Sequence, residues 1–141
     1  MLSFEVVKDE FNSLGTKFTE CDYDEDKVII INHRLEKSLV EVDIAIRFEE
    51  ASSICNVYFI GLVKVEHESD QYYQMLALCN RFNIATNYVQ MYIKEDGTVW
   101  AQITLDMKKV NVTELRMSMA TILDIIDTQY ISDIMKIRWN S

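Results

Sequence analysis

An apolar run from Ile54 to Val65 constrains the fold of this chain more than any other feature of its sequence. Successive side chains of a β-strand point to opposite faces, so this run forms a strand with two apolar faces. One face carries Cys55, Val57, Phe59, Val63 and Val65, and the other carries Ile54, Tyr58, Ile60 and Leu62. A strand of this kind lies either between two covering layers or at an interface with another molecule. The sequence leaves both alternatives open.

Other segments predict further strands around this one. In Leu39–Phe48, valine, isoleucine and phenylalanine alternate with mostly charged residues, which is typical of a strand with one buried face. A β-branched run at Val28–Ile31 predicts a shorter strand. The segments Tyr88–Ile93 and Val99–Met107 predict a hairpin, because the Asp-Gly pair at 96–97 favours a tight turn. The acidic stretch from 22 to 26 is interpreted as a solvated connection.

Helical spacing of apolar residues appears at both ends and in the middle of the chain. Ser3–Leu14 and Ser69–Phe82 each begin with a serine that can cap a helix, and Gly15 is a natural C-terminal stop. Asn111 opens the last long helix, with Glu114 at capping-box spacing. Ile131–Trp139 is a short additional apolar segment. The predicted order is α-β-β-β-α-β-β-α with a possible extra helix, in one α+β domain spanning 1–141, with helices flanking an antiparallel sheet.

Composition restricts the classes of partner and the compartment. The formal net charge is −9 and the hydrophobic fraction is 49%, so the chain can bury a core. Nucleic acid and anionic membranes both need cationic neutralisation, so we expect neither as a partner. The three cysteines have no metal-ligand spacing and suggest reduced thiols in a cytoplasmic protein. We expect no secretory signal and no membrane span.

The motifs that could carry chemistry are weak. Asp22-x-Asp24-x-Asp26 resembles the opening of a calcium loop, but Lys27 and His33 stand where that loop needs glycine and a bidentate glutamate. His33 and His67 have no ligand or nucleophile at a suitable spacing. We therefore expect no metal, no cofactor and no catalytic residues. An enzyme with a site assembled only in three dimensions is the least favoured hypothesis.

The end of the second helix carries a resemblance to a known family. Leu78-Cys79-Asn80-Arg81-Phe82-Asn83 resembles the Leu-x-Asn-x-x-Asn helix end of the YbjN-domain family. In that family it is followed, as here, by a short strand, an acidic-glycine hairpin (Glu95-Asp96-Gly97), a second strand and a long terminal helix. The specific part covers about a third of the chain. Asn80 and Asn83 suit a helix C-terminus, where short amides can satisfy loose carbonyls, so both are interpreted as structural.

The resemblance implies a fold and a kind of activity. YbjN-domain proteins are described as candidate regulators, and their fold is similar to that of the small acidic chaperones of type III secretion. Those chaperones are α+β homodimers that bind an extended segment of a partner protein without a cofactor. The resemblance thus implies a bacterial, cytoplasmic, non-enzymatic protein-binding module, chaperone-like or adaptor-like, that forms a homodimer. A regulatory domain that senses a small molecule between helix and sheet is the alternative.

A partner-binding or dimer surface is predicted on the second face of the Ile54–Val65 strand and on the hairpin beside it. Tyr58, Tyr92 and Trp100 fall on the less apolar side of their strands, where exposed rings with polar neighbours suit protein binding. If a second layer of helices covers that side, the same rings are ordinary core. The predicted surface consists of Ile54, Tyr58, Ile60, Leu62, Tyr92 and Trp100.

Overall fold

The computed structural model describes residues 1–139 and forms one sheet with a layer of helices. The helices are α1 (Phe4–Leu14), α2 (Asp70–Ala85), α3 (Val112–Ile125) and α4 (Ile131–Trp139), and a π-helical turn (Ile126–Tyr130) joins the last two. The strands are β1 (Thr19–Tyr23), β2 (Asp26–Arg34), β3 (Glu41–Glu49), β4 (Ile54–Ile60), β5 (Gln90–Ile93) and β6 (Val99–Asp106). The predicted α+β class is confirmed.

The six strands form a fully antiparallel sheet in the order β1-β2-β3-β4-β6-β5. One face of the sheet and the helices share a single hydrophobic cluster, which includes Ile44, Val57, Ile103, Met75 and Ile122. Side chains from the opposite face of the sheet do not belong to this cluster. The helices of residues 1–139 therefore pack on one side only, and we call the other side the open face.

The first strand, β1, was not predicted. Its five residues are all exposed, and it pairs with β2 through a two-residue turn in which Asp24 and Glu25 have φ of 47° and 70°. Positive φ at both central positions matches the right-handed twist of a hairpin. Because β1 is an exposed edge, it carries polar and acidic residues and has no apolar alternation. The acidic stretch interpreted as a connection is thus a hairpin.

The predicted helix ends are mostly confirmed. The hydroxyls of Ser3 and Ser69 accept hydrogen bonds from backbone N–H groups in the first turns of α1 and α2. Asn111 and Glu114 form a reciprocal capping box at the start of α3, with Glu114 N to Asn111 Oδ1 at 2.8 Å. Gly15 closes α1 in the left-handed conformation, with φ of 72°.

Strand β4 ends at Ile60, earlier than predicted, because Gly61 interrupts the alternation with φ of 66°. The following residues turn across the end of β6: Leu62 N donates to the Val99 carbonyl at 3.0 Å, and Val65 N donates to the Gly97 carbonyl at 2.9 Å. Leu62 is consequently 4% exposed and belongs to the core. Its predicted position on the second face of the strand is therefore wrong.

The asparagines of the helix end have unequal roles. Helix α2 continues past Asn83 to Ala85, so neither asparagine terminates it. The side chain of Asn83 instead donates to the Met91 carbonyl at 3.0 Å and accepts from the Met91 N–H at 2.7 Å. Asn83 thereby fixes β5 against α2, which confirms a structural role of a different kind from the one predicted. Asn80 is exposed.

The C-terminal segment docks on the body of the protein. Tyr130 packs edge-on against Phe82, with ring centroids 4.9 Å apart, and Ile134 is fully buried. In the π-helical turn, the Asp127 carboxylate accepts hydrogen bonds from the backbone N–H groups of Lys37 and Ser38 at 2.8 and 2.9 Å. The predicted apolar position at 139 lies outside the residues whose side chains the structure describes.

Candidate functional site

The open face is the most distinctive surface of the protein, and β4 runs through its middle. Strand β4 is hydrogen-bonded to β3 on one side and to β6 on the other. Its alternate residues Ile54, Tyr58 and Ile60 point to the open face and are half-buried by their neighbours. Within residues 1–139, no helix packs over these side chains, as their absence from the hydrophobic core indicates.

An aromatic row crosses one end of the open face. Tyr58 on β4 meets Trp100 on β6 edge to face, with ring centroids 5.7 Å apart, and Trp100 lies opposite Tyr92 on β5. The Lys94 Nζ lies 4.1 Å from the centroid of the Trp100 ring, which is within cation–π range. The Trp100 Nε1 donates to the Thr98 hydroxyl at 3.0 Å. These contacts hold the indole in place while leaving part of it accessible.

A second cation–π contact lies towards the other edge of the open face. The Arg47 guanidinium carbon lies 4.8 Å from the centroid of the Tyr23 ring. The same guanidinium donates to the Asp26 carboxylate from Nη2 at 2.7 Å and from Nε at 2.8 Å. These hydrogen bonds raise the pKa of Arg47 above its ordinary value. Burial raises the pKa of the nearby Tyr58 hydroxyl, so both groups keep their protons at neutral pH.

A polar network crosses the open face from Glu49 on β3 to Tyr92 on β5. Asn56, which is buried on β4, donates to the Glu49 carboxylate. Its carbonyl oxygen accepts from the Thr104 hydroxyl at 2.7 Å and from the Gln102 amide at 3.2 Å. Gln102 in turn accepts from the Tyr92 hydroxyl at 2.9 Å. Because each polar group is already paired, the face presents a fixed arrangement of apolar and polar positions.

The structure brings five of the six predicted surface residues together on this face: Ile54, Tyr58, Ile60, Tyr92 and Trp100. Leu62 is absent from it for the reason given above. Arg47, Asn56 and Gln102 were not singled out from the sequence, although strand alternation places them on this side. The position of Tyr23 could not be predicted, because the acidic composition of β1 gives no signal for a strand.

The weak chemical motifs do not assemble into a site. Asp22 pairs with Lys27 at 2.8 Å and Asp26 pairs with Arg47 of β3, so two of the three aspartates already have a cationic partner. The His67 imidazole is hydrogen-bonded to the Glu95 carbonyl at 2.7 Å. Across residues 1–139, no group of three or more histidine, cysteine, aspartate or glutamate side chains could hold a metal ion.

Two of the cysteines are buried. Burial raises the pKa of Cys55 to about 12 and that of Cys79 to about 11, so both stay protonated as thiols. Cys21 is exposed on β1.

In the described part of the chain, no helix is long and apolar enough to cross a membrane.

Comparison with known proteins relates the fold to solved structures. No protein-family model matches this chain, and no curated protein matches it. The structure of YbjN, a candidate transcription regulator from E. coli, aligns with a TM-score of 0.59 over 89% of each chain, at 15% identity. A chain in the structure of the HopA1–SchA chaperone–effector complex aligns with a TM-score of 0.54 over 85% of this chain and 86% of that chain, at 14% identity.

The chain has a YbjN-like fold. The predicted similarity of its architecture to a secretion chaperone is confirmed by the same comparisons. At 14–15% identity the likeness concerns the fold alone.

Proposed function

We propose that this protein is a non-enzymatic binding module that holds an extended segment of a partner protein against its open face. The observation that carries the proposal is the aromatic row of Tyr58, Trp100 and Tyr92, which stands on a sheet face without a helix layer in residues 1–139. Half-buried aromatic rings beside paired polar groups are typical of the energetically dominant parts of protein interfaces.

The polar network supports the binding of a partner. A rigid face loses little conformational entropy when a partner binds, because its side chains are already ordered. The Glu49–Asn56–Gln102 network and the Arg47–Asp26 pair provide this order. The fold is similar to that of a chain in a chaperone–effector complex, and this similarity is consistent with the binding of a partner protein.

The proposal includes a homodimer in the cytoplasm of a bacterium, formed through α2. Tyr73 and Ile84 are 59% and 82% exposed. They are eleven residues apart, about three helical turns, and therefore lie on the same outward stripe. Two exposed apolar side chains on one face of a regular helix offer a surface for a two-fold contact, which would leave the open faces of both copies available.

Affinity capture with matched variants tests the binding face. The bait is used as wild type, as Trp100→Thr and as Met117→Gln, where Met117 is an exposed residue of α3 on the helical side. We expect a specific protein to bind wild type and Met117→Gln, and the loss of the indole to weaken its binding about tenfold or more. Equal capture by all three baits would overturn the proposal, as would an empty wild-type bait.

Light scattering after size-exclusion chromatography tests the dimer. We expect wild type at micromolar concentration to have twice the chain mass of 16.5 kDa. Ile84→Lys should shift the mass to that of a monomer, whereas Met117→Lys, the same change on another exposed helix position, should not. A monomeric wild type would exclude the homodimer and leave the binding face to be judged by the capture experiment.

A further inference from the structure

A cavity of about 310 Å³ lies on the helical side of the sheet, between α1, the β2–β3 pair and α3. Its floor and walls are apolar, with Phe11 from α1, Ile31 and Ile44 from the sheet, and Met119 and Leu123 from α3. A space of this size, at the lower end of the range for small-molecule sites, can hold a small ligand.

The rim of the cavity is polar and predominantly acidic. Glu36, Asp124 and Asp127 lie there with one guanidinium, that of Arg116, and one imidazole, that of His33. Asp127 is occupied by two backbone N–H groups, as described above. In the described part of the chain, Glu36 and Asp124 have no ion-pair partner within 4.0 Å, so their charges are available to a ligand.

We propose that this cavity binds a small organic cation with an apolar body, such as a short alkyl or arylalkyl amine. The apolar body would replace water against Met119 and Leu123, and the ammonium group would remain at the rim near Glu36 and Asp124. The excess of carboxylates over guanidinium selects a cation over an anion. The net charge of −9 on the whole chain acts in the same direction.

This site is independent of the protein-binding face. The cavity and the aromatic row lie on opposite sides of the sheet, because Ile31 and Ile44 belong to the core cluster and Tyr58 and Trp100 do not. A ligand in the cavity would therefore leave the open face uncovered. Failure of either proposal would leave the other standing.

Binding of three probes of equal chain length tests the choice of charge. Hexylamine, hexanol and hexanoate are titrated into the full-length protein at pH 7 and low salt, and methyl signals of Ile44, Met119 and Leu123 are followed by NMR. We expect hexylamine to bind most tightly and hexanoate most weakly, with the preference for the amine decreasing as salt is added. Binding of hexanol as tight as that of hexylamine would overturn the assignment of a cation.

Two variants locate the site. Ala120 is an exposed residue of α3 that lines the cavity, so Ala120→Leu should fill part of the space, preserve the helix and abolish binding of hexylamine. Glu36→Gln should weaken hexylamine about twofold to fivefold. Glu50→Gln makes the same change in an exposed turn at the other end of β3 and should have no effect. Unchanged binding in Ala120→Leu would show that the amine binds elsewhere and would exclude the proposal.

Discussion

Gly97 is the glycine at which one added methyl group should disturb this protein most. It lies in the turn between β5 and β6 with φ of +87°, a backbone conformation that residues other than glycine rarely adopt. A Cβ built at Gly97 would approach the carbonyl oxygen of Val65 to well under 3.0 Å, a distance that real Cβ atoms essentially never show. Since the Val65 oxygen is backbone, the alanine variant has to separate the two segments.

The cost of Gly97→Ala has two separable parts. Placing alanine in the left-handed region costs roughly 1–2 kcal/mol, of which the stiffer unfolded chain offsets about 0.5–1. Separating the segments weakens the hydrogen bond from Val65 N to the Gly97 carbonyl, which costs about 1 kcal/mol of stability. It also disturbs the packing of Val65, which costs about 1 kcal/mol more. We expect a total destabilisation of about 3 kcal/mol.

Gly15→Ala isolates the first part. Gly15 has φ of +72°, and an added Cβ there would meet nothing within 4 Å. This variant should therefore lose only about 1 kcal/mol. Urea denaturation followed by circular dichroism measures both free energies of unfolding, provided that the slope with denaturant is unchanged. If the two alanine variants are equally destabilised, the contact with Val65 does not matter and the reasoning fails.

Three further predictions concern single side chains. Burial alone would raise the pKa of Asp127, but the hydrogen bonds that it accepts keep this pKa below its ordinary value of 3.8. The Asp127 carboxylate should therefore stabilise the protein above about pH 4, and this contribution should be lost as the pH falls through the pKa of Asp127 in the folded state. The difference in free energy of unfolding between wild type and Asp127→Asn should consequently shrink from pH 7 to pH 3. Cys21 alone should react quickly with iodoacetamide in the folded protein, and mass spectrometry that finds Cys55 or Cys79 labelled equally fast would contradict their burial. Asn111→Ala should destabilise the protein by about 1 kcal/mol in urea denaturation, and an unchanged midpoint would show that the capping box does not contribute.

The elements that could be predicted from the sequence are those with strong local signals. Serine and asparagine caps locate the starts of α1, α2 and α3, because an N-terminal cap is a local hydrogen bond. Strands β3 and β6 follow from alternation, since one buried face imposes a period of two. Strand β1 has no buried side chain and hence no such period, so its pairing depends on the turn and on β2.

The sequence could predict which face of the strands carries the candidate site, but it could not predict all of the residues that form it. Alternation places Tyr58 and Trp100 opposite the apolar core-facing residues of their own strands, and the pairing of β4 with β6 brings both to the open face. The placement of Leu62 required the backbone conformation of Gly61, after which strand alternation ends and Leu62, Val63 and Val65 are all buried in the core. The contact between Arg47 and Tyr23 required the order of the strands, because it joins residues from different hairpins.

The double-sided apolar character of β4 connects the fold to the proposed function. A strand that is apolar on both faces can have two origins. It can be a central strand with helices on both sides, or it can lie at an intermolecular interface. Strand β4 is central in the sheet, but the helices of residues 1–139 cover only the face of Cys55, Val57 and Phe59. Half-buried apolar side chains on the other face are then unexplained by intramolecular packing. An intermolecular contact would account for them, which is why the Trp100→Thr bait is the decisive variant for the proposed function.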